Sequence, residues 1–390
     1  MSIPNHFKNP VFWILYVVML PVLALLSALR PLIHIRVCAL HAQRIGHFAM
    51  NNEMYLCEKD AGLIPGRYCD IFFHDTPVSN LQLKKMWEKR LTVSRGAYFV
   101  HKAAAFFPWF KQHIFVTQSR DIHGIFDQCQ PHLSFSEAEK LAGNKALENF
   151  GINDDRFVCV LCRDPRYLEH HHPVMDWSYH DFRDVDIDTY IPALETLGDS
   201  GLTVLRMGVV VSKPLRSNHP KLIDYASNGA RSDFLDIYLA SKCRFFISNG
   251  TGLDAVAKAF HRPVLYTNYI PLAYAHFECA HDLLLFKRIW SRAEQRFLTF
   301  REIIESGVGD FLDGHLYEKH QLEIIDNTPE ELTAAVSEMA ARRDGTWVVT
   351  KEDRKLQDRF RALFSGNPKN GVLLANASTH FLRNNQALLE

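Results

Sequence analysis

The sequence has no surplus of either charge: Lys and Arg together number 44, and so do Asp and Glu. That balance excludes a chain whose whole surface attracts nucleic acid or a strongly basic partner, so any anion site has to be local. A disulfide framework is lacking too. Eight cysteines are scattered without scaffold spacing, which in a chain of this size reads as a reducing compartment. Cys159 and Cys162 do form a CxxC, but it lies inside the strand-like RFVCVLC. A spacing of three on a strand sends the thiols to opposite faces, which favours buried thiols over a metal or redox pair. No GxSxG, HExxH or P-loop pattern occurs, so serine hydrolases, zincins and P-loop kinases have no motif support. Internal repeats and low-complexity segments are also missing.

What is present begins with length. The 390 residues exceed one ordinary core and predict two domains. The one long apolar run, VFWILYVVMLPVLALLSAL at residues 11–29, carries no charge. As a helix it would measure about 28 Å against a hydrocarbon core of about 30 Å, longer than the apolar stretch of a signal peptide. A membrane anchor over residues 1–30 is therefore expected, either spanning or, with Pro21 at its middle, dipping in and returning as a monotopic segment. A cleavable signal and a buried core helix are the competing readings. Lys8 precedes the run while Arg30, Arg36 and Arg44 follow it, which puts the rest of the chain at the cytoplasmic face of the inner membrane.

Beyond the run, strand and helix signals alternate. HIRVCAL reads as a strand, residues 48–59 as a helix, CDIFF as a strand and NLQLKKMWEKRL as an amphipathic helix, before the Phe- and His-rich AAAFFPWFKQHIFV. SEAEKLAGNKALENFGI opens on Ser136 as a cap and stops before Gly151. A second series then runs through RFVCVLC, DIDTYIPALETLGDSG, LTVLRMG, SDFLDIYLAS, CRFFIS, GLDAVAKAF and RPVLYT. Pro192 fits the first of those helices only if it starts late. The tract after Tyr269 reads as irregular until Thr328, Pro329 and Glu331 supply a capping box. Such alternation predicts an α/β protein with two Rossmann-like domains facing a cleft, at residues 31–150 and 151–345, and a helical tail at 346–390.

The densest chemistry lies in CRFFISNGTGLDAVAKAF. A strand ends at Ser248, then Asn249, Gly250, Thr251 and Gly252 make a tight connection and a helix follows at once. Free backbone N–H groups there converge with the helix dipole, as in a phosphate corner. Gly250 and Gly252 let an anion approach the backbone, Thr251 adds a hydroxyl donor, and Asp254 can accept from ribose hydroxyls. A plain strand-to-helix turn using glycine for its dihedrals would look the same. Two further strand ends agree: VCVLCRDPRYL finishes on Arg163 and Asp164, and TVLRMG on Arg206 and Gly208. Guanidinium groups at the carboxyl edge of a parallel sheet can clamp a diphosphate. A structural ion pair is the alternative for Arg163 and Asp164.

In EHHHPVMDWSYHDFRD, His170, His171, His172 and His180 lie beside Asp176 and Asp181 without metal-ligand spacing. The segment reads as a solvated or substrate-contacting loop, and no metal site is expected. In RIGHFAMNNEMYL, directly behind the first strand, His47 can take the proton of an acceptor hydroxyl as it attacks an anomeric carbon. Glu53, two turns on, orients it or serves as base instead. A histidine that merely serves a helix start is the alternative.

These stretches, with WSYHDFRDVDIDTYIPALETLGDSGLTVLRMG, NTPEELTAAVSEM and FLRNNQALL, resemble in content and order a bacterial family of GT-B-type glycosyltransferases of surface polysaccharide biosynthesis. The resemblance runs from residue 44 nearly to the end. Where the family pattern reads Arg-Asn-Ser-Asp, this chain has Arg183, Asp184, Val185 and Asp186. The Gly46–His47 pair also resembles the acceptor-side Gly-His corner of other inverting GT-B enzymes, including the one that makes the peptidoglycan lipid precursor; in some of these relatives the histidine is the base. The expectation is an inverting, metal-independent glycosyl transfer from a nucleotide sugar, UDP- or GDP-linked or similar. Its acceptor is a lipid-linked saccharide of lipopolysaccharide or capsule assembly at the membrane, with no cofactor and no nucleic-acid partner. A nucleotide-sugar epimerase and a non-catalytic scaffold in a membrane assembly complex are the rival expectations.

Overall fold

The computed structural model describes residues 10–171, 176–367 and 369–390. The chain forms two compact units, one built from residues up to Ser119 with Pro131–Ser134, the other from Arg120–Gln130 with Phe135–Glu390.

In the first unit, β1 (His34–Ala39) and β2 (Tyr68–Phe73) pair in parallel, with His34 opposite Tyr68 and Ala39 opposite Phe73. Single bridges extend the pair on both sides, from Val37 to Ile114 and from Phe72 to Val93. Around it lie α1 (Pro10–Leu29), α2 (Ile45–Asp60), α3 (Leu81–Glu88) and α4 (Gly96–Phe106). A cross-strand ion pair locks the register: Arg36 donates twice to Asp70, at 2.8 Å each, and Tyr55 donates to the same carboxylate at 2.8 Å. α1 packs Tyr16 and Leu23 against Ala103 and Ala104 of α4. One side of the expected anchor is thus occupied by protein. Among the described residues, no helix is long and apolar enough to cross a membrane.

The second unit is built on β3 (Phe157–Leu161), β4 (Thr203–Arg206), β5 (Leu222–Ile223), β6 (Phe246–Ser248), β7 (Val264–Tyr269), β8 (Leu283–Phe286) and β12 (Asn376–Ala377). They form one parallel sheet in the order β12-β8-β7-β6-β3-β4-β5. The order reverses between β3 and β6, which is the point where an open α/β sheet leaves a crevice at its carboxyl edge. Burial along the central strands is almost continuous, as a sheet covered on both faces requires. A small antiparallel sheet, β10 (Arg296–Phe297), β9 (Arg288–Ser291) and β11 (Leu322–Ile325), lies beside it in the chain.

The helices are α5 (Glu137–Asn149), α6 (Arg166–His171), α7 (Ile191–Asp199), α8 (Asp233–Lys242), α9 (Asp254–Ala259), α10 (Phe300–Glu305), α11 (Gly314–Lys319), α12 (Pro329–Arg343), α13 (Lys351–Ala362) and α14 (Thr379–Asn384). α5 opens on the Ser136–Glu139 capping box and α12 on the Thr328–Glu331 box. A 3₁₀ turn at Ile187–Tyr190 precedes α7, so Pro192 falls in the first helical turn, where its missing N–H costs nothing.

Three boundaries differ from the sequence expectation. α5, expected to close the first domain, belongs to the second unit, where Tyr238 of α8 donates to Asn144 at 2.7 Å. The tract after Tyr269 is ordered, and its β8 joins the large sheet between β7 and β12. The tail is no appendage either. Phe360 and Phe364 of its first helical stretch pack on Phe277, and β12 adds a strand beside β8.

One buried charge cluster holds β8 to α9. The Lys258 ammonium, fully buried, lies 2.6 Å from Glu278 and 3.2 Å from Asp282. Asp282 also accepts the Val264 N–H at 2.8 Å. Burial opposes ionisation of Glu278, yet Lys258 and His276 hold its carboxyl well below the usual range. Lys258→Met removes the ammonium that both buried carboxylates face, leaving only His276 beside Glu278, and is expected to lower the unfolding free energy by about 3–5 kcal/mol, read from urea unfolding curves.

Candidate functional site

The carboxyl edge of β3 and β6 carries most of the residues singled out in the sequence. Gly250 and Gly252 both have positive φ, +80° and +95°, so the turn leaving β6 requires glycine at each. A side chain at Gly250 would also meet the Tyr269 ring at 3.3 Å and the Arg183 guanidinium at 3.5 Å. The amides of this loop, however, already have acceptors. Ser248 Oγ accepts from Gly250 N at 3.1 Å and Thr251 N at 3.3 Å, and it lies 3.1 Å from the Thr251 hydroxyl. Asp254 Oδ1 accepts from Gly252 N at 2.8 Å and Ala255 N at 3.0 Å. Asp254 is therefore the loop's own cap, buried at 4% exposure, rather than a carboxylate turned outward to a ribose. α9 itself spans only six residues.

The remaining chemistry of the corner comes from the adjoining segment, the stretch expected to be a solvated or substrate-contacting loop. Arg183 Nη2 donates to the Gly250 carbonyl at 2.7 Å, while its Nε is buried with no hydrogen-bond partner among the described residues. Asn249 brackets the arrangement: its Oδ1 accepts from Arg163 N at 2.8 Å and its Nδ2 donates to the Arg183 carbonyl at 2.7 Å. The Arg163 side chain donates to Asp184 at 2.9 Å. Burial and the neighbouring Arg183 charge both push the Arg163 guanidinium's proton affinity down, and burial pushes the Asp184 carboxyl up to about 6 against the pull of Arg163. Lys287 ties the segment down, donating to the carbonyls of Phe182 and Asp184 and pairing with Asp326 at 2.8 Å.

Beside these arginines opens a cavity of about 350 Å³ lined by Cys162, Asp164, Pro165, Asp184, Val185, Asp186, Ile187, Arg206, Ser212, Lys213 and Asp326. Four carboxylates face two cations, so the cavity favours ligand groups that donate hydrogen bonds. Arg206 is buried and donates to Asp224 at 3.2 Å. Asp164 accepts from Ser212 N at 2.8 Å and from the Ser212 hydroxyl. Gly208, φ +154°, does not line the cavity; a side chain there would meet Val211 at 2.7 Å. Cys159 and Cys162 are both free, buried thiols. In the histidine-rich loop, His180 stacks against Trp177 and Tyr179, whereas His172 and residues 173–175 lie outside the described residues, as does the side chain of His171.

In the first unit a second cavity, of about 310 Å³, is lined by His41, Gln43, Arg44, His47, Asn51 and Asp75. Its hydrogen bonds assign the imidazole's tautomer. Asn51 Nδ2 donates to the Thr117 carbonyl at 2.9 Å, which turns Asn51 Oδ1 toward His47 Nδ1 at 3.2 Å. An amide oxygen only accepts, so Nδ1 carries the proton and Nε2 keeps its lone pair. Burial lowers the His47 pKa, Asn51 partly opposes this, and the charges of Arg44 and His41 lower it further. His47 is neutral at neutral pH, as a proton acceptor must be.

Glu53, expected to support or replace His47, is fully buried and serves another histidine. Its Oε1 accepts from His132 N at 3.1 Å and His132 Nδ1 at 2.8 Å, while His132 Nε2 meets Asp60 at 3.0 Å. Both ring nitrogens thus face carboxylates. Burial depresses the His132 pKa, but Glu53 and Asp60 together outweigh it and the net direction is upward. Among the described residues, Glu53, Cys57 and His132 are the one group whose ligand atoms lie close enough to hold a metal. An imidazolium between two carboxylates already accounts for their charges, and it pins Pro131–Ser134 to α2.

No family model and no curated protein matches the chain. Among solved structures it is similar to E. coli ADP-heptose LPS heptosyltransferase II, at 14% identity over 80% of this chain and 100% of that one, with a TM-score of 0.40. The glycosyl transferase family 9 protein from Veillonella parvula DSM 2008 follows at 11% identity, 65% and 86% coverage and a TM-score of 0.41. E. coli heptosyltransferase WaaC with ADP gives 11% identity, 71% and 99% coverage and 0.31. At these TM-scores the likenesses carry no argument about activity.

The His132 arrangement generates a pH dependence of defined sign. A histidine whose folded pKa exceeds its unfolded value of 6.5 stabilises fully below that value, and the contribution is lost as pH rises through the folded pKa. Burial raises the Glu53 pKa too, which acts in the same direction. The stability gap between wild type and His132→Gln is expected to be widest near pH 6 and to shrink toward pH 9, measured by urea unfolding across that range.

Proposed function

We propose that this chain is a GT-B-type glycosyltransferase that moves a sugar from a nucleotide-sugar donor to a lipid-linked saccharide of surface polysaccharide or lipopolysaccharide assembly. The observation that carries the reading is the switch-point corner, where a carboxylate-lined cavity adjoins two arginines, one with a buried N–H that no group among the described residues accepts. A nucleoside has hydroxyl and amino donors for Asp164, Asp184, Asp186 and Asp326. Its diphosphate has oxygens for Arg183 and Arg163, and the lack of a Cβ at Gly250 lets it come close. Stabilising the departing diphosphate with guanidinium groups makes the transfer independent of a divalent ion.

The acceptor side of the reaction belongs to His47. As the acceptor oxygen forms its bond to the anomeric carbon, the bond from that carbon to the diphosphate breaks, and the hydroxyl proton passes to His47 Nε2. One displacement inverts the configuration. Asn51 positions the ring by holding the proton on Nδ1. Eight free cysteines accord with the cytoplasmic face of the inner membrane, the side that Arg30, Arg36 and Arg44 also favour.

Calorimetry with a panel of nucleotide sugars, followed by product analysis with membrane extract as acceptor, tests the reading. Binding of one nucleotide sugar and an acceptor-dependent product support it. Donor conversion without acceptor would identify an epimerase, and no nucleotide binding at all a scaffold. His47→Ala is expected to lower kcat/KM by about 10²–10⁴-fold while leaving the donor Kd within about twofold. Asn51→Asp puts a carboxylate on Nδ1 and raises the imidazole pKa, so the rising limb of the kcat/KM profile moves to higher pH. Arg183→Ala should weaken donor binding by about tenfold to a hundredfold.

A further inference from the structure

The outward side of α1 has no polar residue among its described exposed positions. Ile14, Val17, Val18, Val22 and Leu25 are exposed at 66, 59, 58, 37 and 59%, and their spacing puts them on one stripe opposite the side that packs on α4. Just beyond the end of α1 in the chain Leu32 is 78% exposed, and Trp109, 79% exposed, belongs to the 3₁₀ segment Pro108–His113. That segment is joined to the end of α1: Ser27 bonds His113 at 3.0 Å, and the exposed Arg30 donates to Gln112 at 2.5 Å. Lys111, also exposed, lies beside Trp109 in the chain. Both chain segments that build this surface are free of acid: no Asp or Glu occurs before Glu53, and none between Glu88 and Asp121.

We propose that this face docks in the plane of a bilayer, with the α1 stripe among the acyl chains, Trp109 at the headgroup level, and Arg30 and Lys111 against anionic headgroups. A helix packed on protein along one side and bare aliphatic along the other has the form of an interfacial segment. The charges choose the occupant. A soluble protein partner would be held as well by rim carboxylates as by rim cations, whereas an all-cationic, tryptophan-bearing rim matches the negative surface of a membrane. The inference is independent of the transferase reading, because it concerns lipid and neither donor nor acceptor.

The test uses the full chain, without nucleotide sugar, in flotation with vesicles of phosphatidylcholine alone or mixed with phosphatidylglycerol. Wild type is expected to float with both and more strongly with the mixture. Val18→Asp with Val22→Asp should reduce partitioning to both by about tenfold or more, at an unchanged melting temperature since both positions are exposed. Trp109→Ala, which adds no charge, should weaken both in the same direction. Arg30→Gln with Lys111→Gln should reduce only the preference for anionic vesicles, by about fivefold for each cation removed. The proposal is overturned if wild type floats with neither vesicle, or if flotation survives the paired aspartates. It is equally overturned if light scattering without vesicles shows a dimer that those aspartates split, since a second copy would then be the occupant.

Discussion

Every amide at the exit of β6 must find an acceptor, and the chain supplies two of its own: Ser248 Oγ for Gly250 and Thr251, Asp254 Oδ1 for Gly252 and Ala255. The rest of the corner follows from that self-sufficiency. A loop whose N–H groups are internally held is rigid enough to serve as a platform. Its carbonyl at Gly250 then anchors Arg183, and its Asn249 side chain grips the exit of β3 and the backbone of the Arg183 segment together. The Arg183 guanidinium is thereby oriented by a carbonyl, without spending the N–H groups of the loop.

α2 divides its work between two histidines by helical phase alone. His47 and Asn51, four apart, meet on one side, whereas Glu53, Cys57 and Asp60 fall on another and enclose His132. The two surroundings then act in opposite directions. Burial and the Arg44 charge lower the His47 pKa against the pull of Asn51, whereas Glu53 and Asp60 outweigh burial and raise that of His132. The two histidine environments are thereby kept apart on one helix.

The doubly wound sheet was legible because most of its strands are buried apolar runs closed by Gly, Asn or Arg, and Ser136, Ser232 and Thr328 announced their helices by capping chemistry alone. His47, expected near the exit of the first strand, does line a cavity with His41, Arg44 and Asn51. The misses share one cause, long range. Glu53 acquires its role from His132, 79 residues on, and Asp254 is withdrawn by amides whose geometry no spacing rule predicts. Arg183 lies in a stretch expected as a solvated or substrate-contacting loop, but its own place could not be read there because it depends on Gly250, 67 residues away, and on Lys287. β12 takes its place by pairing with β8, far off in the chain, and β8 by pairing with β7.

A net charge of zero says little about where charge acts. Here the acids are concentrated away from the first helix and from the α4 region. In the second unit, four of them line a cavity beside arginines that have given their carboxylate contacts only to Asp184 and to backbone. The same neutral total therefore supports two polar problems of opposite sign: a cavity that welcomes hydrogen-bond donors and a face that tolerates only anions at its rim. A charge reversal at either place would leave ion pairs elsewhere, such as Arg36 with Asp70 and Lys258 with Glu278, untouched. Inside the cavity the two tasks overlap, because Asp184 pairs with Arg163 and Asp326 with Lys287, so altering those carboxylates also loosens the segment they hold.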